Sequence, residues 1–264
     1  MKKLSASQKF EEGLILFARY AFAPNYFRYC GPDKNKDIRE ALKGKFDQQE
    51  LRQVLNHFDA AVPYLNLIAR SNKIADPFDI RVVEAYWLGN ELLFQVPSQA
   101  VYQHLVLNVK KRAKSKWRNL ESEIGHGIKP NHSFHVLDIY RIAGFTMDGT
   151  KGLPVVDLIN NCRISWGLIK TSNPSTDSGQ ALKPQTSKIG SKQLLVKSQS
   201  IKVKNKKFVL EQDIKTVQNT GLNIKEGDLV SVHWGFICDK ISERQAKNLE
   251  FWTKYHLKIT NQFI

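Results

Sequence analysis

The stretch GDLVSVHWGFICDKISERQAKNLEFW, Gly227 to Trp252, decides how the chain is read. Its first half alternates, which predicts a strand over Leu229–Ile237. Alternate side chains of a strand face opposite sides, so Val230, Val232, Trp234 and Phe236 make one continuous apolar face. Leu229, Ser231, His233 and Gly235 make the other, which places His233 on the less apolar side. Gly235 leaves room there for a backbone or a ligand. By periodicity alone, a surface or hydrogen-bonded histidine is the plainer reading. Ser242 then caps a final amphipathic helix with Ala246, Leu249, Phe251 or Trp252, Tyr255 and Leu257.

Upstream of this stretch the chain changes character near residue 155. The first 160 residues read as helices. Ser5 and Gln8 form a capping box ahead of Phe10, Leu14, Phe17, Ala18 and Ala21, and Pro24 ends the run. Asp47 opens a second helix with Leu51, Val54, Leu55, Phe58 and Val62 on one face. Asp79 opens a third, striped by Val82, Val83, Tyr86 and Trp87, and Ser98 a fourth from Ala100 to about Ile124. A fifth begins near Asn131 and runs through His135 to Ala143. After Gly152 the pattern turns to period two. Strands are predicted over Arg163–Ile169, Gln193–Val196, Ser200–Lys204, Lys207–Leu210 and Ile214–Val217. Between them, 171–192 is rich in turn-formers and reads as a long flexible loop. The expected fold is α+β: an all-α helical domain, 1–155, followed by a small β-barrel with a C-terminal helix, 156–264.

Composition narrows the function classes. The 264 residues, 42% hydrophobic and 25% charged, are ordinary for a globular protein. No run approaches the roughly 18–20 apolar residues of a membrane span, and Glu11 and Glu12 interrupt any signal-peptide core, so a cytoplasmic protein is expected. Cys30, Cys162 and Cys238 are odd in number and far apart, which suggests thiols rather than a disulfide framework. The net charge of +15 invites nucleic acid, but Lys170–Lys207 holds nine lysines against one acid, Asp177, without interleaved aromatics. Specific nucleic-acid recognition is therefore disfavoured. No nucleotide motif of the GxxxxGK[ST] or GxGxxG kind occurs, nor HExxH or GxSxG.

The closing segment, GDLVSVHWGFICDKISERQA, resembles the last strand and helix of the HypC/HupF family of hydrogenase-maturation chaperones. Cys162-Arg-Ile-Ser-Trp166-Gly167-Leu-Ile169 is similar to the family's opening, with Trp166 where proline is usual and with Cys162 internal to the chain. The resemblance covers about residues 160–256. It implies a small OB-like barrel of HypC type that carries an iron with cyanide and carbonyl ligands. It further implies Cys162 and His233 as the metal ligands. The implied partner is a hydrogenase-maturation scaffold protein or the hydrogenase large subunit, with Trp166, Trp234 and Phe236 as candidate contacts. A thiolate and an imidazole suit iron and leave positions open for other ligands.

Other residues offer a second site. His132 and His135, three apart, fall on one face if they open a helix, where they can share a metal; the alternative is one capping and one packing. Cys30 ends the aromatic-rich FARYAFAPNYFRYCGP, which reads as core packing or as a pocket of Tyr20, Tyr26 and Tyr29 with Arg19 and Arg28 receiving an anion. Glu84 sits in an apolar helical run; if buried it needs a partner, for which Arg19, Arg28 or His132 are available. Cys238 reads as structural. Two further functions thus stand beside a maturation factor: a metal-dependent enzyme using Cys30, Glu84, His132 and His135, and a metal-free protein-binding adaptor.

Overall fold

The computed structural model describes residues 5–110, 117–137, 155–170, 192–219 and 221–263. The predicted loop falls almost entirely outside these residues, as does the end of the predicted fifth helix. The first half is helical: α1 (Ala6–Tyr26), α2 (Asn35–Leu42), α3 (Gln48–Asn56), α4 (Val62–Ser71), α5 (Ile80–Trp87), a 3-10 turn (Glu91–Gln95), α6 (Ser98–Asn108) and α7 (Trp117–Ile124). A short helical turn, His132–Phe134, follows. The start signals hold where a side chain caps the backbone. Ser5 makes the capping box with Gln8. Asp47 accepts from Gln49 and Glu50, and Asp79 accepts from Arg81. The predicted second helix is two, because the backbone turns at His57–Ala61 before α4 begins with Pro63 in its first turn.

The second half begins with a helix where alternation had predicted none: α8 (Val155–Cys162) ends on the cysteine and hands over to β1 (Ser165–Lys170). The four short strands expected between 193 and 217 are two long ones, β2 (Lys192–Lys204) and β3 (Lys207–Asn219), paired along their whole length. Asn205 and Lys206 turn this hairpin with φ of 49° and 61°, the geometry whose twist matches the flanking strands. The strand expected over Leu229–Ile237 is likewise a hairpin: β4 (Leu229–His233) and β5 (Phe236–Lys240), joined by Trp234 and Gly235 at φ 51° and 76°. The strand order is β1-β2-β3-β5-β4, and β4 pairs back onto β1. The protein is therefore mixed helical and sheet, with a helical N-terminal region, five strands and a final helix, α9 (Glu243–Thr260). Among the described residues no helix is long and apolar enough to cross a membrane.

A small apolar cluster lies inside the strands, around Val196, Val217, Val230 and Val232. The larger core joins helices to sheet, running from Phe17, Phe78 and Trp87 to Trp234, Phe236 and Trp252. Helix α1 covers β4: the Tyr20 hydroxyl meets Ser231 Oγ at 2.8 Å and Arg19 pairs with Asp239 at 2.9 Å. Helix α9 is tied to the helical region by Arg244 and Gln245 on Glu84, and by Ser133 Oγ at 2.6 Å from His256 Nδ1.

His256 is buried, and its Nε2 accepts the Lys129 amide at 3.2 Å. Burial holds its pKa down to about 3, and burial followed by the Arg70 charge holds that of His104 down to about 4. Both folded values lie below the ordinary histidine value, so the unfolded chain takes up protons first as pH falls. Their contribution to stability is complete above about pH 6.5 and shrinks toward pH 4 by about 1.4 kcal/mol per pH unit for each histidine. Urea midpoints should therefore fall steeply between pH 6.5 and 5; a midpoint flat across that window would refute the assignment.

Candidate metal centre

Three side chains from distant parts of the chain converge under Trp87. The ligand atoms of His132, Cys162 and His233 all lie within 4.8 Å of one another. Each is placed by a separate device. Cys162 is the last residue of α8, whose end is tied to the β4–β5 turn by the Trp234 amide donating to Asn161 O at 2.9 Å. The Asn160 side chain brackets Ile201 on β2 from the other side, at 2.7 and 2.8 Å. His132 opens the turn capped by Asn131, whose side chain accepts from Phe134 N. His233 ends β4.

The strand face carrying His233 is not the open side that alternation suggests. Helix α1 covers it, leaving His233 1% exposed, with His132 at 4% and Cys162 at 5%. His233 Nδ1 lies 2.7 Å from Tyr20 O, and a carbonyl can only accept, so Nδ1 carries the proton. Nε2 is then a bare lone pair; it is buried and has no hydrogen-bond partner. The Cys162 carbonyl lies near the ring but outside hydrogen-bonding geometry for that nitrogen. An imidazole whose second nitrogen is pinned to a carbonyl is the usual arrangement of a metal-bound histidine. His132 Nε2 sits 2.8 Å from Cys162 O and donates to it, while Nδ1 is 3.4 Å from the Tyr86 hydroxyl.

Burial pushes the His233 pKa down to about 4, against the pull of the Tyr20 and Cys162 carbonyls. Burial also sets His132 well below its ordinary value, helped by His233 and His135. Both imidazoles are thus neutral, the form that binds metal. Tetrahedral coordination at bonds of about 2.0–2.3 Å needs donors about 3.5 Å apart, so side-chain adjustment of around 1 Å closes the set on an ion. The residues therefore fit a metal: two imidazoles and a thiol, all buried, with one lone pair already orphaned.

That cavity brings in more of the predicted residues. Cys30 and His135 line it together with His132, Cys162 and His233, walled by Tyr86, Trp87, Phe58 and Trp234. The His135 ring stacks on that of His132 at 5.8 Å. Burial pushes the Cys30 thiol up to about 11, so it stays protonated unless a metal displaces the proton. The side chain that caps the start of the turn is that of Asn131, while His135 closes its end through its backbone amide on His132 O.

The remaining candidates lie elsewhere. Glu84 faces α9, where Arg244 and Gln245 bind its carboxylate together with Asn90 at the head of the 3-10 turn, rather than Arg19, Arg28 or His132. Arg19 is paired with Asp239 and Arg28 lies on the surface near Asp33, so both arginines of the alternative anion pocket are engaged by acids instead. Trp234 and Phe236, expected as partner contacts, are interior: Trp234 stacks on Tyr29 at 4.1 Å, and Phe236 packs edge-on to Phe22. The tight turn drives both rings inward under α1. Trp166 is half-buried. Cys238 is buried with its Sγ 3.7 Å from Phe236 O, a packing role. The sequence offered Tyr20 for a tyrosine pocket and Trp87 for a helix stripe, but not the part each takes here: the Tyr20 carbonyl fixes the His233 tautomer, and the Trp87 ring lies 4.6 and 5.7 Å from those of His132 and His233. Nothing local could have found either, since both act across helix–sheet contacts.

The fold and site together define a mixed helical and sheet protein with a buried His–Cys–His cluster. Residues 9–264 match a family of unknown function, DUF6390, and the chain belongs to that family. No curated protein matches the chain, and no solved structure does.

Proposed function

We propose that the protein is an accessory factor in the maturation of a metalloenzyme, a nickel–iron hydrogenase first among them, working in the cytoplasm. In this reading Cys162 and His233 hold an iron that carries cyanide and carbonyl ligands, and a scaffold protein or the hydrogenase large subunit receives it. The observation that carries the reading is the meeting of Cys162 and His233, far apart in sequence, within 4.8 Å. The return pairing of β4 onto β1 supports a small barrel of HypC type for the second half. Soft thiolate and borderline imidazole donors match iron, and the apolar walls exclude water from it. His132 adds a third donor that the HypC resemblance did not imply.

Protein expressed anaerobically with a complete hydrogenase-maturation set should carry iron and show cyanide and carbonyl infrared bands. Iron-free protein from such cells would sink the reading. A second reading rests on the third donor and on the burial of all three: a resident metal centre of an enzyme, with one position left open. It predicts metal that survives dialysis against a chelator and shows no such infrared bands.

A further inference from the structure

Immediately after Cys162, a second group of polar side chains lies outside the metal cavity. Arg163 is 1% exposed, and its side chain reaches the sheet at β2. One nitrogen, Nη2, donates to Gln199 O on β2, and the guanidinium lies over the Trp166 ring at 5.7 Å. Its Nε and Nη1 are buried with no hydrogen-bond partner. A buried guanidinium that leaves two donors unmet is costly, and native proteins rarely leave such groups without a ligand or water.

The neighbouring strand adds charge of the same sign. Lys215 pairs with Val196 and Asp213 with Ser198, so both side chains share the inward face that carries Val196 and Val217. Lys215 is half-buried and makes no salt bridge among the described residues. Asp213 is the acid beside it and already accepts from Ser200 Oγ. Lys202 contributes a further positive field at Lys215. Arg163 and Lys202 thus add positive charge around Lys215 beside the Asp213 carboxylate, while Glu211 on the same face is paired with Lys204. Burial, and then Arg163, pull the Lys215 pKa down to about 7, which a bound anion would reverse.

We propose that Arg163 and Lys215 form a binding site for a small oxyanion, of the phosphate or carboxylate class, at the polar end of the sheet beside Trp166. Nε and Nη1 of Arg163 donate from the buried side, and the Lys215 ammonium closes the site toward solvent. The site is independent of any metal at Cys162, which keeps the two proposals separable.

The test is calorimetric titration of the full chain with inorganic phosphate and, separately, with acetate, at constant ionic strength. It is run on the natural sequence, on Cys162→Ser and on Lys215→Met. Lys215→Met removes the ammonium while keeping the stem, so it should fold; circular dichroism checks that. Expected is saturable binding of one or both anions, retained in Cys162→Ser and weakened about 10-fold or more in Lys215→Met, the loss of one charge-assisted contact. Binding of phosphate alone points to a phosphoryl ligand, and binding of acetate alone to a carboxylate. Absence of saturable binding to the natural sequence, or equal affinity in Lys215→Met, overturns the proposal.

Discussion

Cys162→Ala protein is expected to lose its metal while keeping its fold. The natural chain, loaded anaerobically with Co²⁺, should take up a single equivalent and show a thiolate-to-cobalt charge-transfer band. The variant should lose that band and bind at least about 100-fold more weakly, since removing even an outer partner of a ligand costs 10–100-fold. The thiol sits 5% exposed in the cavity wall, so the truncation opens little space and costs about 1 kcal/mol in stability. Metal loss without unfolding is what separates a ligand from a packing residue. A charge-transfer band that survives in Cys162→Ala would exclude Cys162 as a donor. A band lost in Cys30→Ala instead would move the thiolate to the other cysteine of the same cavity.

His233 makes a sharper companion because its two nitrogens do different things. Replacing it with alanine removes the orphaned Nε2 and also strands the Tyr20 carbonyl that Nδ1 serves. Metal affinity and stability should therefore fall together there, whereas Cys162→Ala separates them.

How much of this was legible in the chain depended on whether a signal was local. Helix starts were, because Ser5, Asp47, Asp79 and Ser242 cap the backbone within a few residues of themselves. The helical-then-sheet order was legible too, from the change of hydrophobic period. The two hairpin turns were not. His233-Trp234-Gly235-Phe236 continues the alternation on paper, and a tryptophan at positive φ is a rare turn residue, held here by contacts distant in sequence: its stacking on Tyr29 and its amide bond to Asn161 O. At the other hairpin Asn205 hinted at a turn, but Lys206 supplied no glycine. Helix α8 was hidden because Val155–Cys162 is too short for its period to outweigh β-branched residues. At the site, Cys162 and His233 were singled out together by resemblance to a family. That His132 joins them depends on α5, the Asn131 turn and β4 packing around Trp87. No spacing within one segment encodes such a meeting.

Gly13→Ala should destabilise the protein by about 3 kcal/mol or more, although alanine in place of glycine inside an ordinary helix stabilises it by about 1 kcal/mol. The sign is reversed by what lies opposite. Gly13 is buried in α1, and a Cβ added there would fall 1.7 Å from the Phe78 carbonyl oxygen and 2.9 Å from the Ile80 amide nitrogen. Those atoms are backbone, so no rotamer change relieves the overlap, and α1 must move away from the start of α5. Moving it pulls Phe17 from its edge contacts with Phe78 and Trp87, both at 5.6 Å, and Tyr20 from its stack on Trp87. Gly44→Ala is the control. That glycine has a φ of +78° but meets nothing within 4 Å, so it should cost only the left-handed strain of about 1 kcal/mol. The two variants also differ at the site. Tyr20 O on α1 sets the tautomer of His233, and Trp87 on α5 packs against both imidazoles, so separating α1 from α5 should loosen the ligand set. Folded Gly13→Ala protein is expected to bind Co²⁺ more weakly than Gly44→Ala, as read by the same charge-transfer titration. Equal affinities would mean that the metal donors are held without help from the α1–α5 contact.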